Sequence, residues 1–121
     1  MSEKPAAATI RNVVEAMWED LPGHFGGAYS KMLVRPEVCG ARRIDYRIST
    51  YQPKGYVEPH VHQVQEQIYH ILEGELTVIA GGKEEVARKG DTVFIAPNEN
   101  REIVNRGSGV CTLLVAVAAP K

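Results

Sequence analysis

His60 and His62 stand two residues apart in Pro59-His60-Val61-His62, so on an extended strand both imidazoles leave the same face. Neutral imidazole ligates transition metals and also takes or gives a proton near neutral pH. A second run, Gln67–Leu72, follows, and Gln67 and Tyr69 share one parity on it. A carboxamide and a phenol thus face the two rings, with Tyr69 either lining the pocket or donating its hydroxyl. His70 has the opposite parity and belongs outside. Tyr46 and Tyr51 differ in parity, so at most one of them faces in, while His24 sits in a Gly-flanked loop able to reach a pocket mouth.

Positioning these groups takes strands and turns. Gly55 and Pro59 bring the chain into the histidine pair, and Gly74 closes the run after it. Frequent Gly and Pro residues separate short runs of strand character: Tyr29–Arg35, Arg42–Tyr51, Gln67–Leu72, Glu75–Ala80, Glu84–Arg88, Thr92–Ile95, Arg101–Asn105 and Val110–Val117. Ala80-Gly81-Gly82-Lys83 is a hairpin turn, because Gly-Gly supplies the positive φ angles such a turn requires. Short strands at this spacing predict an all-β sandwich or small barrel. Arg43–Tyr51 is amphipathic, and its facing stays open. Cys111, among strand residues, reads as a buried small hydrophobe. Ahead of the strands, Asn12 with Glu15 makes a capping box, and Val14, Met17, Trp18 and Leu21 form one helical stripe before Pro22-Gly23. A short N-terminal helix is therefore predicted, with residues 1–9 flexible and 10–121 a single domain.

At 121 residues, 44% hydrophobic and 24% charged, the chain suits one globular domain. A formal charge of −1 gives no case for nucleic acid or anionic membrane. No apolar run nears the roughly 18 residues that span a bilayer, and Met1–Ala8 lacks the apolar segment of a signal peptide. Cys39 and Cys111 follow no metal or redox spacing and read as free thiols in a reducing cytoplasm.

Gly55-x4-His60-x-His62-x4-Gln67-x6-Gly74 resembles the first motif of the cupins, and Gly90–Asn98 followed by Arg101 and Asn105 resembles the second. The resemblance implies an all-β cupin jelly-roll β-barrel of six to eight strands, with a pocket inside. It also implies a homodimer, for which the apolar Val110–Val117 run gives a surface. Metal-binding cupins place two His and a Glu in the first motif and a third His in the second. By this resemblance His60, His62 and Gln67 are the metal candidates, with Glu66 the alternative if a bulge shifts the strand by one. Arg101 stands where the third His belongs. A guanidinium about 5 Å from a divalent ion opposes it by on the order of several kcal/mol at an effective dielectric of 20. A divalent transition metal (Zn, Fe, Ni or Mn) is thus expected to be weakly held or absent. Some cupins of similar motif use a metal with Gln in this place, and others, the sugar-nucleotide ketoisomerases, work without one.

The resulting expectation is a small-molecule-binding cupin acting on a small polar or acidic substrate as an isomerase, lyase or dioxygenase-like enzyme. His60, His62 and Tyr69 are its catalytic candidates, and Arg101, Gln67 and Tyr69 its substrate-binding ones. Two alternatives stand beside it: a non-catalytic ligand-binding or sensing module, and a metal-dependent cupin with a His60/His62/Gln67 or Glu66 site.

Overall fold

The apolar run Cys111–Ala118 (β10) lies at the centre of a sheet, hydrogen-bonded on both sides, with Cys111, Leu113, Val115 and Val117 buried on one face. Its neighbours are Ile44–Tyr51 (β3) and Glu66–Glu73 (β5). Ala28–Val34 (β2) and Thr92–Ile95 (β8) complete this sheet in the order β2-β3-β10-β5-β8. A second antiparallel sheet faces it. Its strands are His24–Phe25 (β1), Tyr56–His60 (β4), Glu75–Ala80 (β6), Lys83–Arg88 (β7) and Arg101–Val104 (β9), ordered β1-β4-β9-β6-β7. A one-turn helix, Pro36–Cys39 (α1), caps the β2–β3 connection. The structure, a computed structural model, describes residues 7–118; most of the N-terminal stretch expected to be flexible therefore lies outside the described residues.

Two expectations are corrected. The all-β architecture holds, but the ten strands form a two-sheet sandwich with open edges, and not a closed barrel. The chain changes sheet at tight turns such as Gly26-Gly27 and Arg88–Asp91, so the edge strands meet at corners without a shared hydrogen-bond ladder. The N-terminal helix is reduced to one 3-10 turn, Val13–Glu15. Its capping box forms as read: Asn12 Oδ1 accepts from Val14 N at 3.0 Å and Glu15 accepts from Asn12 N at 3.2 Å. The turn is not propagated because Glu19 bridges to Ser30 on edge strand β2, with paired backbone bonds of 2.7 and 3.0 Å. A short isolated helix is marginal without a groove to bury its stripe, and here Met17 remains 79% exposed.

One end of the interior is dry. Ile71, Leu76, Ile103, Cys111 and Leu113 are essentially inaccessible there. Gly74, the glycine read as ending the histidine-bearing motif, has φ +78°, and a Cβ on it would collide with the Val110 carbonyl oxygen. That close approach holds the β5–β6 corner against the start of β10; a register shift between Thr112 and Leu113 follows, and beyond it Gln67 and Tyr69 pair with Val117 and Val115 and face inward.

Candidate functional site

The other end of the interior is hollow, with a cavity of about 530 Å³ between the sheets. His60 closes β4, and His62 follows in the loop just beyond the strand. Both rings line the cavity, with centroids 4.8 Å apart and planes at 82°. His60 Nδ1 lies 2.9 Å from the Glu58 carbonyl oxygen. A carbonyl only accepts, so Nδ1 is the donor in this bond, and Nε2 is the ring nitrogen not engaged in it.

Across from them β5 turns Gln67 and Tyr69 inward, where both are buried and line the cavity. The Tyr69 hydroxyl donates to Gln67 Oε1 at 2.8 Å, and the Gln67 amide nitrogen reaches Gln65 at 3.4 Å. Burial raises the Tyr69 pKa against the opposing field of Arg101 and Arg47, so the phenol stays protonated. Glu66 is exposed and lines no part of the cavity, and His70 stands on the outer face, bonded to Thr92 Oγ1 at 3.0 Å.

Arg101 opens β9 and pairs with His60 across the β4–β9 ladder. It is the largest of the fully buried side chains, 1% exposed. Nε, Nη1 and Nη2 find no hydrogen-bond partner among the described residues. Burial lowers its pKa, but a guanidinium keeps its charge in any protein. That charge is felt in the cavity: burial first, then Arg101, His60 and Arg47, hold His62 below its ordinary pKa. Neutral His62 is therefore the form present at pH 7.

Three further groups complete the walls. His24, on β1, lines the mouth with its Nδ1 held 3.0 Å from the Pro22 carbonyl. Burial, with Arg47 and His60 adding to it, lowers its pKa. Asp45 and Arg47 line the cavity from β3, joined by a 2.7 Å ion pair. The sequence signal for them was the period-two series Asp45-x-Arg47-x-Ser49-x-Tyr51. Strand β3 turns that polar series inward and leaves Ile44, Tyr46 and Ile48 on the other face. A rule that puts apolar residues inside would have chosen the wrong face.

The divalent metal that the resemblance implies meets an unsuitable set of donors. Two imidazoles and a carboxamide supply no negative charge, and Gln67 Oε1 already accepts from Tyr69. No group of three or more His, Cys, Asp or Glu suited to a metal occurs among the described residues. A fixed cation acts on the same His62 that would ligate. These residues do not fit a tightly held dication.

The sequence pattern of the cupin domain family matches residues 47–117. A beta-D-galactosidase of Mycobacterium tuberculosis is 41% identical over 73 residues, 60% of this chain and 62% of that protein. A tetracenomycin polyketide synthase protein of Streptomyces glaucescens is 26% identical over 93 residues, 77% of this chain and 62% of that one. The chain thus spans about three fifths of the length of each of these relatives. Among solved structures, a predicted oxalate decarboxylase of Thermotoga maritima superposes with a TM-score of 0.81 at 23% identity, covering 92% of this chain and 99% of that one. The polyketide cyclase RemF of Streptomyces resistomycificus also gives 0.81, at 22% identity over 94% and 82%. At these identities the two structures speak for the fold alone.

Proposed function

The chain belongs to the cupin family, and on that premise we propose that it binds a small carboxylate-bearing molecule between its sheets and moves a proton on it, as an isomerase or lyase would. The observation that carries this reading is Arg101, a buried guanidinium with no hydrogen-bond partner among the described residues, which does not itself line the cavity but acts on two groups that do, His62 and Tyr69. An uncompensated buried charge costs several kcal/mol, and a carboxylate satisfies a guanidinium fork bidentately. Arg101, Gln67 and Tyr69 hold the substrate. His60, with Nε2 free to accept, and neutral His62 supply the base, while the protonated Tyr69 phenol keeps Gln67 oriented. The reading needs no metal, and dioxygenase-type chemistry finds no support in the donor set.

The test is calorimetric titration of wild type and Arg101→Met with a panel of small carboxylates, followed by turnover assays on His60→Ala and His62→Ala. Losing charge-assisted hydrogen bonds of about 1.5–3 kcal/mol each should lower affinity by about a hundredfold or more. Unchanged affinity in Arg101→Met refutes the reading. Retained binding with no turnover in wild type identifies a binding module in place of an enzyme.

A homodimer and a cytoplasmic location belong to the same proposal. Val14, Met17 and Trp18 along one sheet edge, and Ile68 and Phe94 on the outer face, are exposed apolar groups that a second copy would cover. Cys39 and Cys111 are both free, as in a reducing compartment. Among the described residues no helix is long and apolar enough to cross a membrane.

A further inference from the structure

We infer that the polar wall of β3 reads hydroxyl groups, so that the ligand is a hydroxylated monocarboxylic acid of about sugar-acid size. The inference rests on the proposed anchoring of a carboxylate by Arg101 and adds a second point of recognition. Asp45 and Arg47 both line the cavity, with side chains only 13% and 18% exposed. Their single bond, Arg47 Nη2 to Asp45 Oδ1 at 2.7 Å, leaves Arg47 Nε buried with no partner among the described residues. Arg47 acts electrostatically on His24, His62, Tyr51 and Tyr69, all of them cavity-lining residues, so its charge faces the interior.

The pair carries no net charge yet sets an acceptor beside a donor. A second carboxylate would be repelled by Asp45 as much as it is drawn by Arg47. An alkyl chain would desolvate this pair and offer it no partner, which is costly. A hydroxyl is donor and acceptor at once, so one hydroxyl, or two on neighbouring carbons, can donate to the Asp45 carboxylate and accept from the Arg47 guanidinium. The cavity, about 530 Å³, lies within the range that holds molecules of this size. Ser49, the next inward residue of β3, is already bonded to Ser30 at 2.7 Å, so on this wall the Asp45–Arg47 pair and the Tyr51 phenol are the remaining polar groups that face the cavity.

The experiment titrates wild type, Asp45→Asn, Arg47→Gln and Arg101→Met with gluconate, glucuronate and hexanoate, acids of six carbons with and without hydroxyls. Wild type is expected to bind at least one hydroxylated acid tenfold or more tighter than hexanoate. Asp45→Asn and Arg47→Gln, each checked for folding by its melting curve, should each erase that preference, read as the ratio of hydroxylated-acid to hexanoate affinity within the same variant. Equal affinities for all three acids in wild type, or an equal loss of all three in both β3 variants, overturns the hydroxyl reading and leaves the Arg101 anchor standing. If no acid binds, or Arg101→Met binds all three as wild type does, the anchor fails and the hydroxyl reading fails with it.

Discussion

Arg101 and Asn105 lie four residues apart, and both are sealed from solvent, at 1% and 0% exposure. Asn105 is fully answered. Its Nδ2 donates to the Tyr51 and Gly109 carbonyls, and its Oδ1 accepts from Gly107 N, all at 2.9 Å. It ties β3 to the loop that follows β9 at the dry end of the sandwich, where Leu76, Ile103 and Cys111 pack. Arg101, at the hollow end, has three nitrogens and no partner among the described residues. Two polar side chains of similar burial therefore do opposite things. One is spent on holding the fold; the other is held in reserve by it.

The largest way to break that contrast is by stability. Asn105→Ala would leave two carbonyls and an N–H unmet, for an expected loss of about 2–4 kcal/mol. Arg101→Met replaces an uncompensated buried charge with a side chain that packs, so it should be neutral or stabilising by about 1–4 kcal/mol. Urea unfolding of the two variants measures both. A loss in Arg101→Met equal to that in Asn105→Ala would make Arg101 a structural residue.

A second test changes what the hollow end can hold. Arg101→His removes the cation and adds a third imidazole beside His60, His62 and Gln67. Zinc or nickel affinity should rise by about tenfold or more, each tenfold being about 1.4 kcal/mol. Arg101→Ala should gain less, from charge relief alone. Calorimetric titration of metal-stripped protein decides it, and wild type binding tightly with no change in Arg101→His would remove Arg101 from the site.

The smallest expected effect is in the response to acid. His24 and His62 are held below their ordinary pKa in the folded chain, so the unfolded chain takes up their protons first as pH falls. The stability linked to them is complete above about 6.5 and is lost as the pH drops toward their folded values. Because Arg101 contributes to the His62 shift, Arg101→Met should flatten this loss, read as a smaller stability difference between pH 7.5 and 5.5. An unchanged difference would mean that burial, with His60 and Arg47, sets His62 without Arg101.

The motif Gly55-x4-His60-x-His62-x4-Gln67-x6-Gly74 carried most of what could be read beforehand, because each spacing maps to a backbone need. Gly74 must be glycine at its contact with Val110, and Gln67 and Tyr69 share the inward face of β5 by strand alternation. The N-terminal helix was not readable as false. Its capping box is real, and only the pull of the β2 edge on Glu19 ends it after one turn. Open sheet edges in place of a closed barrel depend on how corners pack, which residue types do not encode. The inward face of β3 stayed open because Asp45 and Arg47 solve each other's burial, a pairing that alternation alone cannot reveal. The dry run Val110–Val117 suggested a surface for a partner, yet its alternate residues fill this chain's own core.

Urea unfolding of wild type and Arg101→Met, each with and without millimolar gluconate, addresses the anion anchor most directly, since a ligand that binds only the folded state stabilises it by mass action. The expected result is a rise in the wild-type midpoint with gluconate and none in Arg101→Met. Equal stabilisation of both proteins by gluconate, or none of either, would contradict a site built around an unanswered guanidinium.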